Sequence, residues 1–439
     1  MKRILMQNLI SWKNDKYRKP LILKGVRQCG KTYLLKEFAR TEYQDLAYYN
    51  FEGNPALADL FEQDLDPNRI IVELGLLLGK KINPATSLII FDEVQFCPKA
   101  LTFLKYLQEQ APQYHLACAG SLLGIALSNP SSFPVGKVDI LTLRPLNFHE
   151  YLLAHQEDDL VDYLKNYHFE QPLAKVFTEK LTALVRTYFV NGGMPEVVSR
   201  WVETKNLELI EKLQDAIINA YELDFAKYAP LKDYPKLSLI WQSIPVQLAR
   251  DNSKFIYGHA KPGARAKDLE DAMNWLIGAG IAYKICKIEK PALPLSAYAD
   301  PGYFKLYLAD TGLLRRMSKL PASAIFEQTP SYVEFKGALT ENFVLTELIS
   351  TSDETPYYWR SGNTAEVDFV IQQNEKIVPV EVKSATNVRA RSLAEYQKKY
   401  KPELAIKVSL RPLHKVENLL PLPLYLLFTL PQYVTVSRQ

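Results

Sequence analysis

The chain has few of the residues that build zinc sites or disulfide frameworks. Its 439 residues include only four cysteines and six histidines. No two cysteines form a Cys-x-x-Cys pair and the histidines are scattered, which argues against both kinds of site. The net charge of +4 is weak for this length, so it permits nucleic-acid binding without arguing for it. We expect a soluble protein in a reducing, cytoplasmic setting.

Long apolar runs are also missing. The N-terminal segment MKRILMQNLISWKNDKYRKP has no apolar core of signal-peptide length. The most apolar late stretch, NLLPLPLYLLFTLPQY, is interrupted by Pro421 and Pro423 and is too short to span a bilayer. We therefore expect no membrane partner.

Apolar runs alternate with amphipathic segments in the first third of the chain. PLILKG, SLIIFDE and YHLACAGS are typical of buried strands, whereas KTYLLKEFARTEY and LTFLKYLQEQ have helical spacing. This alternation predicts an α/β domain with a parallel sheet at residues 1–150. The mainly helical pattern that follows predicts a helical lid or connector at residues 151–232.

The pattern changes again in the second half. Residues 233–325 contain two helical segments, then the strand-like runs IAYKICKI and YFKLYLAD. This order resembles a winged helix, although protein-interaction modules share it. Residues 326–439 open with the helical GALTENFVLTELIS and continue with strand patterns at TPYYWR, EVDFVIQ, KIVPVEVK and LAIKVSL. These helix and strand patterns predict a second, separate α/β domain.

The segment GVRQCGKT has the spacing G-x-x-x-x-G-K-T of a phosphate-binding loop. Its glycines let backbone N–H groups turn toward phosphates, Lys31 reaches the β- and γ-phosphates, and Thr32 binds Mg²⁺. An apolar strand before it and an amphipathic helix after it disfavour a chance glycine-rich turn. We predict ATP and Mg²⁺ as cofactors, with the nucleotide held by Gly25, Val26, Arg27, Gln28, Cys29, Gly30, Lys31, Thr32 and Tyr33.

Two acids end the apolar run LIIFDEVQ. Asp92 is predicted to hold the Mg²⁺–water shell and Glu93 to activate the attacking water. The next apolar run ends in CAGS, where Ser121 either senses the γ-phosphate or is an ordinary polar strand end. Position alone does not choose between these two roles of Ser121.

Five segments resemble successive landmarks of one family: PLILKGVRQCGKT, IIFDEVQ, CAGSLLG, LTLRPLNFHEYL and YFVNGGMPEVV. The family comprises prokaryotic AAA-type P-loop ATPases joined to a C-terminal domain of unknown function with a PD-(D/E)XK, restriction-endonuclease-like fold. The resemblance implies an AAA+ core that includes the last two segments. Relatives commonly have a Gly-Arg pair where this chain has Gly136-Lys137, and lysine lacks the planar fork of arginine. If that arginine acts on the γ-phosphate, either Arg144 replaces it here or the role is absent.

The stretch EVDFVIQQNEKIVPVEVKSA fits the hairpin of such a nuclease-like domain. Asp368 lies on the first strand, and Glu381 and Lys383 lie two residues apart, on one face of the second. Two carboxylates hold Mg²⁺, which activates water, and the lysine positions that water or neutralises developing charge. Glu341 stands on the preceding helix, where such sites often draw another acid. The alternative, a half-exposed hairpin with charged ends, stays open.

The remaining charged features are less specific. A set of six basic residues in the C-terminal region suits either contact with a nucleic-acid backbone or a solvated helix face. Arg265 and Lys267 are followed at once by acids that would repel phosphate, so that helix is predicted to pack within the protein. The basic group comprises Lys383, Arg389, Arg391, Lys398, Lys399 and Lys401.

The leading hypothesis is an ATP-hydrolysing AAA+ enzyme coupled to a nuclease-like domain that acts on DNA in repair, mobile-element or defence processes. In this hypothesis Lys31, Glu93, Glu341, Asp368, Glu381 and Lys383 are catalytic, and Thr32, Asp92, Asp368 and Glu381 bind metal. The alternative is a nucleotide-dependent switch whose C-terminal domain binds a partner or a nucleic acid without cleaving. A homo-oligomer or a protein partner fits either hypothesis.

Overall fold

The computed structural model groups the chain into two compact units. The N-terminal unit comprises Lys2–Arg144 and Gly278–Ile281, and the C-terminal unit comprises Pro145–Ile277 and Ala282–Gln439. The side chains of residues 330, 331, 333 and 334 are not described. The structure describes residues 1–121, 123, 136–167, 173–250, 254–352, 354–362, 365–383, 391–410 and 418–434.

The N-terminal unit contains a parallel five-stranded sheet with strand order β2-β3-β4-β1-β5. Its strands are β1 (Leu21–Lys24), β2 (Asp45–Asn50), β3 (Ser87–Asp92), β4 (His115–Ala119) and β5 (Asp139–Thr142). Its described helices are α1 (Leu5–Asn14), α2 (Lys31–Glu42), α3 (Pro55–Asp59), α4 (Pro67–Leu77) and α5 (Pro98–Gln110), with a 3₁₀ turn at Val94–Phe96.

Burial explains the order of these strands. Every residue of β3 is buried, and the three apolar residues of β1 are fully buried, as expected for central parallel strands. In the sheet register Asp92 pairs with Asn50, and Leu23 pairs with Ala119. The carboxyl ends of β1, β3 and β4 therefore lie at one edge of the sheet, the edge at which such sheets bind ligands. The predicted parallel α/β sheet is confirmed.

The C-terminal unit contains a mixed seven-stranded sheet with strand order β12-β11-β10-β9-β8-β6-β7. Its strands are β6 (Ala282–Ile288), β7 (Ala299–Leu308), β8 (Tyr357–Ser361), β9 (Ala365–Gln373), β10 (Lys376–Lys383), β11 (Ala405–Ser409) and β12 (Leu419–Pro423).

Helices α6 to α13 precede the first strand of that sheet along the chain. They are α6 (Phe148–Ala154), α7 (Asp158–Lys165), α8 (Lys175–Asn191), α9 (Pro195–Thr204), α10 (Leu207–Tyr228), α11 (Tyr234–Leu248), α12 (Tyr257–Ala260) and α13 (Ala266–Gly278). The later helices are α14 (Thr311–Met317), α15 (Ala322–Glu327), α16 (Pro330–Ser352), α17 (Arg391–Tyr400) and α18 (Leu430–Val434), with 3₁₀ turns at Leu295–Tyr298 and Leu424–Thr429. Among the described helices, none has both the length and the apolarity to cross a membrane.

The sheet joins two regions that the sequence analysis had separated. β6 pairs in parallel with β8 through Lys287 with Tyr358 and Ile288 with Trp359. The expectation that the last third forms a separate α/β unit is therefore wrong, because β6 and β7 belong to the same sheet as the C-terminal strands. The physical reason is that strand pairing is long-range, whereas the sequence pattern showed only local order. The winged-helix likeness of residues 233–325 stays a prediction, as do the bounds of the four predicted segments.

A buried carboxylate explains the NGG segment of the C-terminal unit. Asp310 caps α14 by accepting the Leu313 N–H at 2.8 Å, and it also accepts the Gly193 N–H at 2.6 Å. The Leu146 N–H donates to the Gly193 carbonyl at 2.7 Å. Burial raises the pKa of Asp310 to about 6. Gly193 thus lies in a polar junction that leaves no room for a side chain.

We expect Gly193→Ala to destabilise the protein by about 2–3 kcal/mol, the cost of overpacking a filled site. A β-carbon at Gly193 would lie 2.0 Å from the Leu146 carbonyl oxygen, which is backbone and cannot swing aside. Gly258→Ala is the matched control because a β-carbon there meets no atom within 4 Å. The measurement is the urea midpoint of the full chain. Equal midpoints for the two variants would show that the junction tolerates a methyl group.

Candidate functional site

The phosphate loop follows β1 and requires two glycines by its geometry. Gly25 has φ 154°, and a β-carbon there would lie 2.1 Å from the Leu143 carbonyl oxygen. Gly30 has φ 92° immediately before α2, in the left-handed region that glycine adopts without steric cost. The loop therefore enters the N-terminus of α2, where free backbone N–H groups and the helix dipole favour an anion.

The lysine and threonine of the motif are held at the start of α2. Lys31 is buried and its Nζ donates to the carbonyls of Gly25 and Val26, both at 2.9 Å. The Thr32 hydroxyl donates to Asp92 Oδ2 at 2.8 Å, so the two predicted metal-binding oxygens lie side by side. A hydroxyl and a carboxylate in contact fit the oxygen shell that Mg²⁺ prefers.

Glu93 follows β3 in a left-handed conformation, with φ 50° and ψ 42°. This conformation is uncommon outside glycine and is typical of functional positions. Its carboxylate accepts hydrogen bonds from Gln95 Nε2 and, at 3.4 Å, from Ser121 Oγ. The structure thus brings the predicted base and the predicted serine into contact, although the role of Ser121 stays a prediction.

The other predicted loop residues surround this centre. Val26 and Cys29 are buried, and the Cys29 thiol lies 3.4 Å from the Leu143 carbonyl oxygen. Gln28 has φ 63°, Arg27 is half-buried, and Tyr33 is 54% exposed on α2.

Lys137 of the Gly136-Lys137 pair forms an ion pair with Glu109 at 3.0 Å. The Arg144 carbonyl accepts a hydrogen bond from the Arg3 guanidinium. Neither contact assigns a γ-phosphate role, so the choice between Arg144 and an absent arginine stays open.

The sequence analysis missed three residues around the nucleotide site. Tyr48 on β2 donates to Asp92 Oδ2 at 2.8 Å, and burial and this bond raise the pKa of its hydroxyl. Arg3 donates to the Cys29 carbonyl at 2.9 Å. Gln95 donates to the Glu93 carboxylate. It lies two residues after Glu93 in the segment LIIFDEVQ, and this short spacing is the signal by which the sequence could have indicated the contact.

A second polar cluster lies in the C-terminal sheet. Asp368 on β9 accepts the Val382 N–H at 2.7 Å, which fixes its carboxylate against β10. Glu381 is 2% exposed and forms an ion pair with Lys383, while its Oε2 is buried without a hydrogen-bond partner. Lys407 stands beside Glu381 in the register of β10 and β11. The structure therefore brings Asp368, Glu381 and Lys383 together, while their role as a metal site stays a prediction.

Burial and like charges set the electrostatics of this cluster. Burial, with the neighbouring Glu341 and Glu381, raises the pKa of Asp368 well above its ordinary value. Burial also raises the pKa of Glu381, against the opposing effect of Lys383. For Lys383, burial acts against the charge, but Glu381 and the other acids outweigh it and raise its pKa.

A buried lysine that the sequence analysis missed engages the predicted helix acid. Lys305 on β7 is 1% exposed, and its Nζ lies 3.5 Å from Glu341 Oε2 and 2.6 Å from Glu366 Oε1. The Tyr307 hydroxyl donates to the same Oε2 of Glu341 at 2.8 Å. Within the ranges that the structure describes, no three His, Cys, Asp or Glu side chains are placed to hold a metal ion together. A cation on Asp368 and Glu381 would therefore rest on two carboxylates.

The basic residues of the C-terminal region are only partly described. Arg389 lies outside the described residues, while Lys399 on α17 places its Nζ 5.9 Å from the ring centroid of Trp359 and 5.1 Å from that of Tyr400. Arg265 precedes α13, and its N–H donates to Asp268 at 2.8 Å. This local bond lies at the start of α13, and the packing role of that helix stays a prediction.

Three family models match successive parts of the chain. Residues 17–152 match an AAA domain, residues 182–324 match a domain of unknown function (DUF8612), and residues 336–425 match another domain of unknown function (DUF4143). The last two matches carry no activity with them.

Curated relatives match a short part of the chain. An uncharacterized protein of Mycobacterium tuberculosis and one of Mycobacterium bovis are each 34% identical over 80 residues, which is 18% of this chain. The match spans only 17% of the length of each relative.

Solved structures of low identity also resemble the chain. A Walker-type ATPase of Pyrococcus abyssi is 12% identical, with a TM-score of 0.45 over 71% of this chain and 94% of that one. The ORC1 protein of Aeropyrum pernix, solved in complex with DNA, is 14% identical, with a TM-score of 0.29 over 73% and 92%. No functional inference follows from likenesses of this degree. Residues 17–152 are therefore similar to an AAA domain and contain the geometry of a phosphate-binding loop.

Proposed function

We propose that the chain binds Mg-ATP at the phosphate loop and hydrolyses it. The observation that carries this proposal is the convergence of Thr32, Asp92 and Glu93 at one sheet edge, with the Thr32 hydroxyl on Asp92 and Glu93 adjacent to it. Mg²⁺ held by Thr32 and Asp92 would supply positive charge to offset that of the phosphates. Thr32 and Asp92 hold its shell, and the loop N–H groups bind the phosphates.

Lys31 and Glu93 perform the remaining steps in this proposal. The Lys31 ammonium leaves the loop carbonyls of Gly25 and Val26 for the β- and γ-phosphates, which are stronger acceptors because they are charged. Glu93 accepts a proton from the attacking water, and Gln95 and Ser121 keep its carboxylate in place. Phosphate release from Mg-ATP, compared between the natural chain and Glu93→Gln, tests the proposal.

The proposal extends to the C-terminal cluster as a phosphodiester-cleaving site on DNA. It is supported by two carboxylates, the half-buried Asp368 and the buried Glu381, beside the Lys383 ammonium, with one buried oxygen of Glu381 lacking a partner. A divalent cation on these carboxylates would supply Lewis-acid activation of water and phosphate. Lys383 would orient the water or offset charge on the phosphate. The predicted restriction-endonuclease-like fold belongs to this part of the proposal.

We expect Asp368→Asn and Lys383→Met each to lower nuclease activity by about 10²-fold or more, the usual cost of losing one such electrostatic group. The assay follows cleavage of DNA and RNA by the full chain with Mg²⁺ or Mn²⁺. Lys376→Met is the matched control, because Lys376 lies on the same strand and pairs only loosely with Glu403 at 3.9 Å. Cleavage that both test variants retain would come from another site or a contaminant.

One observation favours a second candidate function, a nucleotide-dependent switch that binds a partner without cleaving. Lysines bridge the C-terminal acids, with Lys383 on Glu381 and Lys305 on Glu341 and Glu366. Such ion pairs between lysines and acids occur in polar cores without catalytic activity as well as in catalytic sites. In this alternative the proposed partners are a nucleic acid, another protein or a second copy of the chain. Absence of cleavage together with ATP-dependent partner binding would support it.

A further inference from the structure

We infer that Tyr48 is a positioning residue for Asp92, and that its hydroxyl raises the affinity of the nucleotide site for a divalent cation. The inference rests on the proposed function, in which Thr32 and Asp92 hold that cation. It adds a residue that lies outside both the phosphate-loop motif and the segment LIIFDEVQ. The observation behind it is the hydrogen bond that the Tyr48 hydroxyl donates to Asp92 Oδ2 at 2.8 Å.

The register of β2 and β3 places Tyr48 on the face of the sheet that carries the Asp92 side chain. Tyr48 pairs with Ile90, which lies two residues before Asp92. Because side chains alternate along a strand, Tyr48 and Asp92 share one face. Tyr49 belongs to the opposite face, where its hydroxyl donates to the Leu74 carbonyl of α4 at 2.6 Å. The hydroxyls of the two neighbouring tyrosines thus serve different parts of the domain.

The hydrogen bonds of Asp92 use most of its capacity as an acceptor. Within the described part of the chain, three bonds end on its carboxylate. Oδ2 accepts the Thr32 and Tyr48 hydroxyls, both at 2.8 Å, and Oδ1 accepts the Glu93 N–H at 3.1 Å. A carboxylate has about four acceptor sites, two on each oxygen. Tyr48 therefore fills the second site of Oδ2 and leaves one site, on Oδ1, for the water shell of a cation.

Tyr48 is the donor to Oδ2 that has no second task. In the proposed function the Thr32 hydroxyl serves both Asp92 and the cation, so it cannot by itself fix the carboxylate. Asp92 is 4% exposed, so water does not readily replace a donor that is lost there. Groups that hydrogen-bond to a metal-binding side chain orient it and raise the affinity for the metal. The Tyr48 hydroxyl is placed to do this for Asp92.

The ring of Tyr48 is itself held from α2. The Lys36 ammonium lies 3.8 Å from the centroid of the Tyr48 ring, a cation–π contact. Lys36 follows Thr32 by four residues, so the two side chains leave the same face of α2. This helix therefore contributes to the position of Asp92 twice, directly through Thr32 and indirectly through Lys36 and the tyrosine ring.

The test is the Mg²⁺ concentration that half-saturates the full chain when the chain is in excess over a fluorescent, non-hydrolysable ATP analogue. Tyr48→Phe should raise this concentration by about 10-fold or more, the usual loss when an outer-shell partner of a metal ligand is removed. Tyr49→Phe is the matched control, because it removes a hydroxyl from the next residue of the same strand, on the opposite face. The control should leave the Mg²⁺ requirement unchanged.

A second measurement separates this role from a structural one. With a chelator in place of Mg²⁺, Tyr48→Phe and the natural chain should bind the analogue with equal Kd, because Lys31 and the loop N–H groups bind the phosphates without Tyr48. Tyr48→Phe keeps the ring and its Lys36 contact, so it should fold, which its urea midpoint checks.

Three results would overturn the inference alone: an unchanged Mg²⁺ requirement in Tyr48→Phe, an equal rise in Tyr49→Phe, or an equal loss of affinity for the analogue in the chelator. A natural chain that binds no analogue, or that binds it without any response to Mg²⁺, would overturn the proposed Mg-ATP site as well.

Discussion

Glu93→Gln should lower the rate of ATP hydrolysis by about 10²–10⁴-fold, the usual contribution of a positioned general base. Glutamine fills the same volume but accepts no proton at neutral pH. The neighbouring contacts also survive in part, since Gln95 and Ser121 still have an amide oxygen to donate to. Binding of Mg-ATP should persist, because Lys31, Thr32 and Asp92 are unchanged.

The measurement pairs steady-state phosphate release with equilibrium binding of a fluorescent ATP analogue. Glu62→Gln is the control, an exposed glutamate of the same unit that pairs with Lys99 at the surface. A loss of turnover with unchanged nucleotide affinity is expected for Glu93→Gln only. Unchanged turnover would remove Glu93 from the proposed mechanism, while loss of binding would give it a structural role at the phosphate loop.

The part of the fold that the sequence predicted is the part with local signals. β1, β3 and β4 are continuous apolar runs because they are central strands buried on both faces. The sequence analysis did not find β2 and β5, the two edge strands of that sheet. β5 has no fully buried residue, and β2 has only two, so neither shows the apolar run of a central strand.

In the candidate sites too, the sequence predicted the residues that have a local motif and missed those that have none. Lys31, Thr32, Asp92 and Glu93 stand in short motifs, and the structure brings them together. Lys305 and Tyr307 have no motif, since their place beside Glu341 arises from the pairing of distant segments. In the sequence they are ordinary alternating residues of a strand. Only tertiary structure shows that this lysine is buried among acids.

Glu347→Gln should make the protein more stable than the natural chain at alkaline pH, by up to about 5 kcal/mol near pH 8. Glu347 on α16 is fully buried, and burial raises its pKa from 4.5 to about 8. Its Oε1 accepts the Phe148 N–H at 2.7 Å, and Oε2 is buried without a partner. Glu150 adds a like charge that favours the protonated form.

The sign of the effect follows from where the proton is held. Between pH 4.5 and about 8 the folded chain keeps the Glu347 proton, while the unfolded chain releases it. The unfolded state therefore binds fewer protons, and stability falls as pH rises through this window. Below pH 4.5 both states are protonated and the contribution is constant. Glutamine is neutral at every pH, so Glu347→Gln should lack this fall.

Urea unfolding of the full chain between pH 5 and pH 9 measures the difference. The two midpoints should be similar at pH 5 and separate as pH rises, with the variant higher. Asp310, whose pKa is about 6, titrates in both proteins and cancels in the comparison. Glu354→Gln, at an exposed glutamate, should show no such separation. If Glu347→Gln is no more stable than the natural chain at pH 9, the folded-state pKa of Glu347 is not raised above its value in the unfolded chain. The Phe148 N–H would then outweigh burial.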